Sequence, residues 1–420
     1  MTPDILGQSP TRDSSASPGR SSPSVRDRFR SILLILAAVA CGWTGWSGYA
    51  LALPVAMIFP LFWAQSRSRL TAAAVSAGYF LAASRGLPQG VANFYAEDLW
   101  PGLLLWLAAS ASFVVVHAAA WSRQPEEVRK GQGFPEAGRA LRYLLALVLM
   151  ALPPFGIVGW AHPLTAAGIL FPGWGWWGAI AATAGLLALT TRLWPAAAII
   201  LTGFWLWSAA TWTVPVLPQG WDGVDLEMGE SLGRDTSLPR HRVLIATVRG
   251  KAKDGIRTVV LPENTFGFWT PTVARLWQEE LRGTDITVIA GAAVIDAQGY
   301  DNVMVAISTE EARILYRERM PVPVSMWQPW KAWTGQGGGA RAHLFANPVD
   351  LDGTRIAPLI CYEQLILWPV LQSMLHKPDI IVATGNGWWT SGTPIVAIQK
   401  ASVTSWARLF GLPIVIAFNT

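Results

Sequence analysis

The amino-acid sequence predicts an α/β membrane protein in two parts: an N-terminal bundle of seven transmembrane helices over 31–216, then an α/β domain over 220–420. Three observations carry this. Apolar runs fill the first half of the 420-residue chain, basic residues gather on alternate connections between them, and beyond about 220 strand-length and helix-length segments alternate. Only 14% of residues are charged and 52% are hydrophobic. Soluble domains carry about 25% charge, so the deficit implies surface that faces lipid. The 24 tryptophans agree, since indoles favour the membrane–water boundary.

Residues 1–30 are rich in Ser, Pro and Arg and lack periodicity, so they read as a disordered, basic leader. More apolar runs follow the first one, and no convincing cleavage site does, so the first run is read as a retained helix rather than a signal peptide. The runs lie at about 31–47, 49–65, 70–84, 99–121, 141–160, 172–190 and 194–216. A span needs roughly 20 apolar residues, with a range of about 17–25. The third run is short and the first two nearly merge, so loop charge sets the count. Cytoplasmic loops collect Lys and Arg. With the N-terminus inside and seven spans, thirteen basic residues fall inside: Arg12, Arg20, Arg26, Arg28, Arg30, Arg67, Arg69, Arg123, Arg129, Lys130, Arg139, Arg142 and Arg192. Arg85, beside Glu97 and Asp98, is the one basic residue outside. Merging the first two runs puts the 123–142 cluster on the wrong side. Seven spans leave everything after about Val216 outside, in the periplasm of a bacterial inner membrane.

The net charge of +5 is explained by those loops, so no direct nucleic-acid contact is expected. Of the two cysteines, Cys41 falls in an apolar run and Cys361 in the second half, so neither a disulfide nor a metal site is expected, and no cofactor is implied. In the second half, strands are predicted at 256–261, 286–292, 355–361, 380–384 and 413–418, with a hairpin pair at 303–308 and 312–316. Helices are predicted at 272–282, 364–374 and 394–409. Residues 240–253 lean to helix, after a weak strand near Val224, and 335–339 read as a flexible glycine loop. Strands alternating with helices indicate an α/β domain with a buried sheet.

Three segments could carry chemistry. In Val260-Leu261-Pro262-Glu263-Asn264 a buried strand runs directly into a carboxylate. Strand C-terminal ends present functional groups in α/β sheets, and a desolvated Glu263 could serve as a general base. Alone, a solvated loop Glu is the better reading. In Ile360-Cys361-Tyr362-Glu363 a strand meets a helix N-terminus, whose dipole favours a nucleophilic thiolate at Cys361. The competing reading is a buried Cys acting as a small hydrophobe. Glu363 argues instead for a polar pocket. In Asn386-Gly387-Trp388-Trp389 the glycine permits a tight turn and the aromatics could wall a pocket, though a surface loop fits equally.

Together these segments resemble the nitrilase (carbon–nitrogen hydrolase) superfamily, and with seven spans ahead of them the layout is similar to the apolipoprotein N-acyltransferases. The resemblance implies an αββα sandwich and an active site of Glu base, Lys and Cys nucleophile. Leu261-Pro262-Glu263 matches the Glu motif and Leu359-Ile360-Cys361-Tyr362-Glu363 the Cys motif. In the Tyr316–Met326 segment, Glu318 stands at the Lys position and Met326 where a second functional carboxylate is expected. A cation beside the developing oxyanion is worth about 3–4 kcal/mol. Arg317, Arg319 or Lys331 are the cations near enough in sequence to substitute. The acyltransferases also continue past the point that corresponds to Asn419-Thr420, so a less enclosed site is expected here.

The resemblance implies a membrane phospholipid as acyl donor and an amine on a protein or small molecule as acceptor. It also extends to a branch of conjugal transfer proteins, which implies other conjugation proteins as partners. The alternative is a non-catalytic descendant kept as a membrane platform in the conjugation apparatus. A transporter ranks last, because the spans carry few charges beyond His117.

Overall fold

A computed structural model describes residues 25–122, 135–229, 238–335, 337–345 and 348–420. Most of the leader and the basic residues at 123–130 lie outside the described residues, whereas 25–30 form the first turns of a helix. The N-terminal half runs α1 (Val25–Gly45), a 3-10 segment (Ala50–Ile58) continuing into α2 (Phe59–Ala64), α3 (Arg69–Ala83), α4 (Leu87–Tyr95), α5 (Leu99–Ala120), α6 (Pro135–Ala151), α7 (Ala167–Leu170), α8 (Gly175–Ala188) and α9 (Trp194–Ala210).

Each of the seven apolar runs holds helix, but seven full-length spans are not found. Among the described residues only α1 and α5, at 21 and 22 residues, are long and apolar enough by that measure to cross a membrane. The rest are shorter or broken. Pro54 sits within the 3-10 segment ahead of α2, and Pro153 and Pro154 follow α6. Proline lacks the N–H that a continuing helix needs. α4 was not foreseen.

The C-terminal half runs β1 (Trp221–Gly223), α10 (Leu238–Lys253), β2 (Thr258–Val260), α11 (Pro271–Glu280), β3 (Thr287–Asp296), β4 (Gly299–Ile307), β5 (Ala312–Arg317), α12 (Pro329–Trp333), β6 (Val349–Leu351), β7 (Thr354–Ile360), α13 (Leu367–Leu375), β8 (Ile380–Asn386), α14 (Ile395–Phe410) and β9 (Ile414–Asn419). α12 and the three-residue β6 are additions to the predicted elements. The helix expected at 364–374 starts late, because a 3-10 turn, Cys361–Leu365, precedes α13.

The strands form two mixed sheets, ordered β1-β2-β3-β4-β5 and β6-β7-β8-β9. β1, β2 and β3 are parallel, as are β7, β8 and β9. Successive strand side chains point to opposite faces, and here each face meets a different core. Val260, Ile289, Ile360 and Val382 pack between the two sheets. Their neighbours Val259, Val288 and Ala290 pack with Leu244, Val248 and Trp277 of α10 and α11. On the far side Leu359, Ile381 and Ala383 pack with α13 and α14. The result is the helix–sheet–sheet–helix sandwich. That last core continues without interruption into the N-terminal helices, through Trp406 and Leu409 to Ile169, Phe59 and Trp63. Tyr362 also donates its hydroxyl to Ile157 O at 2.9 Å, tying the halves together.

Candidate active site

β2 ends at Val260 and the chain turns sharply into Glu263. Hydrogen bonds to β3 hold that turn: Leu261 N to Ile289 O at 2.8 Å, Gly291 N to Pro262 O at 3.1 Å and Phe266 N to Gly291 O at 3.0 Å. Gly291 makes the approach possible, since a Cβ there lies 2.4 Å from Glu263 Cα. Glu263 is 3% exposed. Its Oε1 accepts from Asn302 Nδ2 on β4 at 2.7 Å. Burial pushes its carboxyl up to about 7, against the lowering effect of Asn302, the Cys361 thiol and the Asn386 main chain.

β7 delivers Cys361 to the same place from the opposite sheet. Cys361 takes a positive φ of 43°, a left-handed conformation that costs a non-glycine residue of order 1–3 kcal/mol and recurs at functional turns. Two contacts enforce it: Glu363 Oε2 accepts from Ile360 N at 2.8 Å, and Gln399 Nε2 on α14 donates to Cys361 O at 2.9 Å. The thiol lies against Glu263 and is raised well above its ordinary range, first by burial and then by Glu263 and Glu318. This corrects the expected thiolate. Cys361 opens only a five-residue 3-10 turn, too short to supply a helix dipole against two carboxyls and burial.

Glu363 is fully buried and faces away from the thiol. Its Oε1 accepts from the Tyr316 hydroxyl at 2.6 Å and from Arg319 N at 2.8 Å, and Oε2 holds the Ile360 N–H. Oε2 thus braces the backbone next to Cys361, while Oε1 ties it to β5 and the loop that follows. Glu318 is also fully buried, and its Oε2 accepts from the same Asn302 Nδ2 at 2.9 Å. The cations expected nearby do not reach the thiol. Arg319 turns away to Tyr316 Oη, Pro358 O, Pro369 O and Ser373 Oγ. Arg317 pairs with Asp301, and Lys331 sits on the short α12. Among the described residues, no Lys or Arg bonds to Glu263, Glu318 or Cys361. No group of His, Cys, Asp and Glu among them is arranged for a metal.

Cys361 and Tyr362 form one wall of a largely apolar cavity of about 330 Å³. The rest of its lining includes Trp46, Leu105 and Ala108 from the N-terminal helices and Trp389 from the Asn-Gly-Trp-Trp loop. That loop is docked on α4: Asn93 Nδ2 donates to Trp389 O at 2.9 Å and Ser391 O at 3.0 Å, and Phe94 stacks on Trp388. Glu263, Cys361 and the aromatic loop therefore converge as the motifs suggest. Asn302 and Gln399 had no sequence signal, because their role exists only where β4 and α14 cross the two motifs.

The carbon–nitrogen hydrolase family model matches residues 81–408. The conjugal transfer protein TraB of Agrobacterium fabrum is 69% identical over 421 residues, covering 100% of both chains. A probable conjugal transfer protein TraB of Sinorhizobium fredii is 63% identical, over 94% of this chain and 100% of that one. An amidase from Nesterenkonia sp. superposes loosely, with a TM-score of 0.35 at 10% identity over 47% of this chain and 74% of that one.

Proposed function

The chain belongs to the carbon–nitrogen hydrolase family, and on that premise we propose that it is a membrane-anchored acyltransferase serving plasmid conjugal transfer, with Cys361 as its acyl carrier. One observation carries the reading: Cys361 touches a carboxylate on one side and, on the other, an apolar cavity built jointly by the N-terminal helices and the α/β domain. A cavity of that lining suits an acyl chain, and helices α1 and α5 suit a membrane. Outward-facing apolar side chains such as Ile180 on α8 and Ile199 on α9 support lipid contact by the shorter helices as well. In this reading the helical segments within 31–216 form the anchor, residues 1–30 stay on the cytoplasmic side and 220–420 sit in the periplasm. The conjugation role rests on the names of the two relatives.

Chemically, the Cys361 sulfur attacks a phospholipid ester carbonyl while Glu263 takes the thiol proton. The tetrahedral intermediate expels the lysolipid alkoxide, Glu263 returns the proton to it, and a thioester remains. An amine acceptor then attacks the thioester. Glu263 removes the amine proton and delivers it to the departing sulfur, leaving an amide. Glu363 and Gln399 hold the nucleophile's backbone in place.

The test is mass spectrometry of the full-length protein in phospholipid nanodiscs. An acyl adduct on Cys361, lost in Glu263→Gln, is expected. A Cys361→Ala variant that supports normal conjugation, or a wild-type chain that never acquires an adduct, overturns the reading. Glu318 favours a second reading, because no Lys or Arg among the described residues bonds to Glu263, Glu318 or Cys361: a catalytically silent platform for other conjugation proteins. That reading expects Cys361→Ala to conjugate normally.

A further inference from the structure

Two buried carboxyls flank a single amide. Asn302 Nδ2 donates to Glu263 Oε1 at 2.7 Å and to Glu318 Oε2 at 2.9 Å. Glu263 is 3% exposed and Glu318 0%. No described Lys or Arg offsets either charge, so both cannot stay ionised, as with any carboxylate pair confined to one dry site. By hydrogen bonds the two are alike: each accepts one bond from Asn302, and Glu263 Oε2 and Glu318 Oε1 both lack a partner. Their surroundings differ, because Glu263 also lies against the Cys361 thiol and the Asn386 main chain, both of which favour its charged form, whereas Glu318 has only the shared amide. Asn302 Oδ1 also lacks a partner. A bound proton supplies a donor in a corner that otherwise holds unmatched acceptors.

The other groups packed around the pair leave this balance unchanged. From β5 and the loop after it, Tyr316 and Arg319 are directed at Glu363. Asp301 on β4 is engaged by Arg317, Arg341 and His343. His343 meets Glu318 only through its main-chain N–H, at 3.2 Å from Glu318 O.

We propose that Glu318 is the proton-holding member of this pair, a neutral carboxylic acid that leaves Glu263 as the one carboxylate able to take the Cys361 proton. Glu318 is thus a positioning residue, acting through Glu263. It removes the need for a cation to keep Glu263 ionisable near neutrality. Loss of its proton at high pH places a second negative charge beside the thiol and shuts the site. The consequence rests on Cys361 being the nucleophile, but the protonation state can be measured without turnover.

Infrared difference spectroscopy on the full-length protein in nanodiscs is expected to show a protonated-carboxyl stretch that persists at pH 8 and disappears in Glu318→Gln. Iodoacetamide alkylation of Cys361, followed against pH, is expected to keep its midpoint in Glu318→Gln, since a neutral amide replaces a neutral acid. Absence of the band at pH 8, its survival in Glu318→Gln, or a midpoint lowered by about 1–3 units, as removal of a like charge produces, overturns the inference. Should Glu318→Gln fail to fold, Glu318→Asp decides: a shift in the frequency of the band supports the inference and an unmoved band refutes it. A band on Glu318 in a chain that forms no acyl adduct sustains the inference and refutes the proposed function.

Discussion

Glu263→Gln separates the electrostatics of the site from its packing. The amide keeps the shape of the side chain and still accepts from Asn302 Nδ2, now at 2.7 Å from the carboxylate oxygen, while removing the charge. A free Glu ionises at 4.5, whereas burial holds Glu263 at about 7. Between those values the folded protein binds more protons than the unfolded chain, so rising pH destabilises it, and the loss is complete above about 7. At about 1.4 kcal/mol per pH unit, the shift corresponds to roughly 3 kcal/mol. Glu263→Gln is therefore expected to match wild type near pH 4.5, and to become the more stable protein by up to roughly 3 kcal/mol at alkaline pH. Intrinsic tryptophan fluorescence during thermal melting in detergent, repeated across this range, measures the difference. Parallel melting curves at every pH refute the claim that burial raises this carboxyl. The same variant is expected to lose the Cys361 acyl adduct, so a gain in stability accompanies a loss of function.

Gly291→Ala is expected to drive its new Cβ into the Glu263 backbone, 2.4 Å away, lowering stability by about 1–3 kcal/mol and slowing Cys361 alkylation. Melting together with iodoacetamide kinetics checks both effects. Glu363→Gln puts an amide donor against the Ile360 N–H or the Tyr316 and Arg319 donors and removes the counter-charge of Arg319, which is 2% exposed. A loss of about 3–5 kcal/mol is expected, read as a lower melting point. Ala108→Trp partly fills the cavity beside Cys361 and is expected to shorten the longest acyl chain recovered on the cysteine, measured by adduct mass.

The alternation of strands and helices was legible because the strands are short, nearly continuous apolar runs, whereas the αββα order came from the family resemblance. Val259 and Val260, or Leu359 and Ile360, serve two different cores from adjacent positions, which is what a run of apolar residues buried on both faces requires. The short β6 escaped notice because three residues carry no period. The seven apolar runs are equally visible, but hydrophobicity does not report helix length. Proline at 54 breaks the second run and prolines 153 and 154 end the helix of the fifth.

For the site, the motifs and the resemblance they carry singled out Glu263 and Cys361 as candidates and put Glu318 at the lysine position, because those are statements about residue type at matching positions. Whether the thiol ionises, where Arg319 points and what Glu363 holds depend on burial and on distances between β2, β4, β7 and α14, which are far apart in the chain. Only the folded arrangement brings Asn302 between two acids and turns Arg319 toward Pro358 and Pro369. Charge interactions follow distance and solvent access rather than sequence separation, so the proton inventory of this site is a tertiary property.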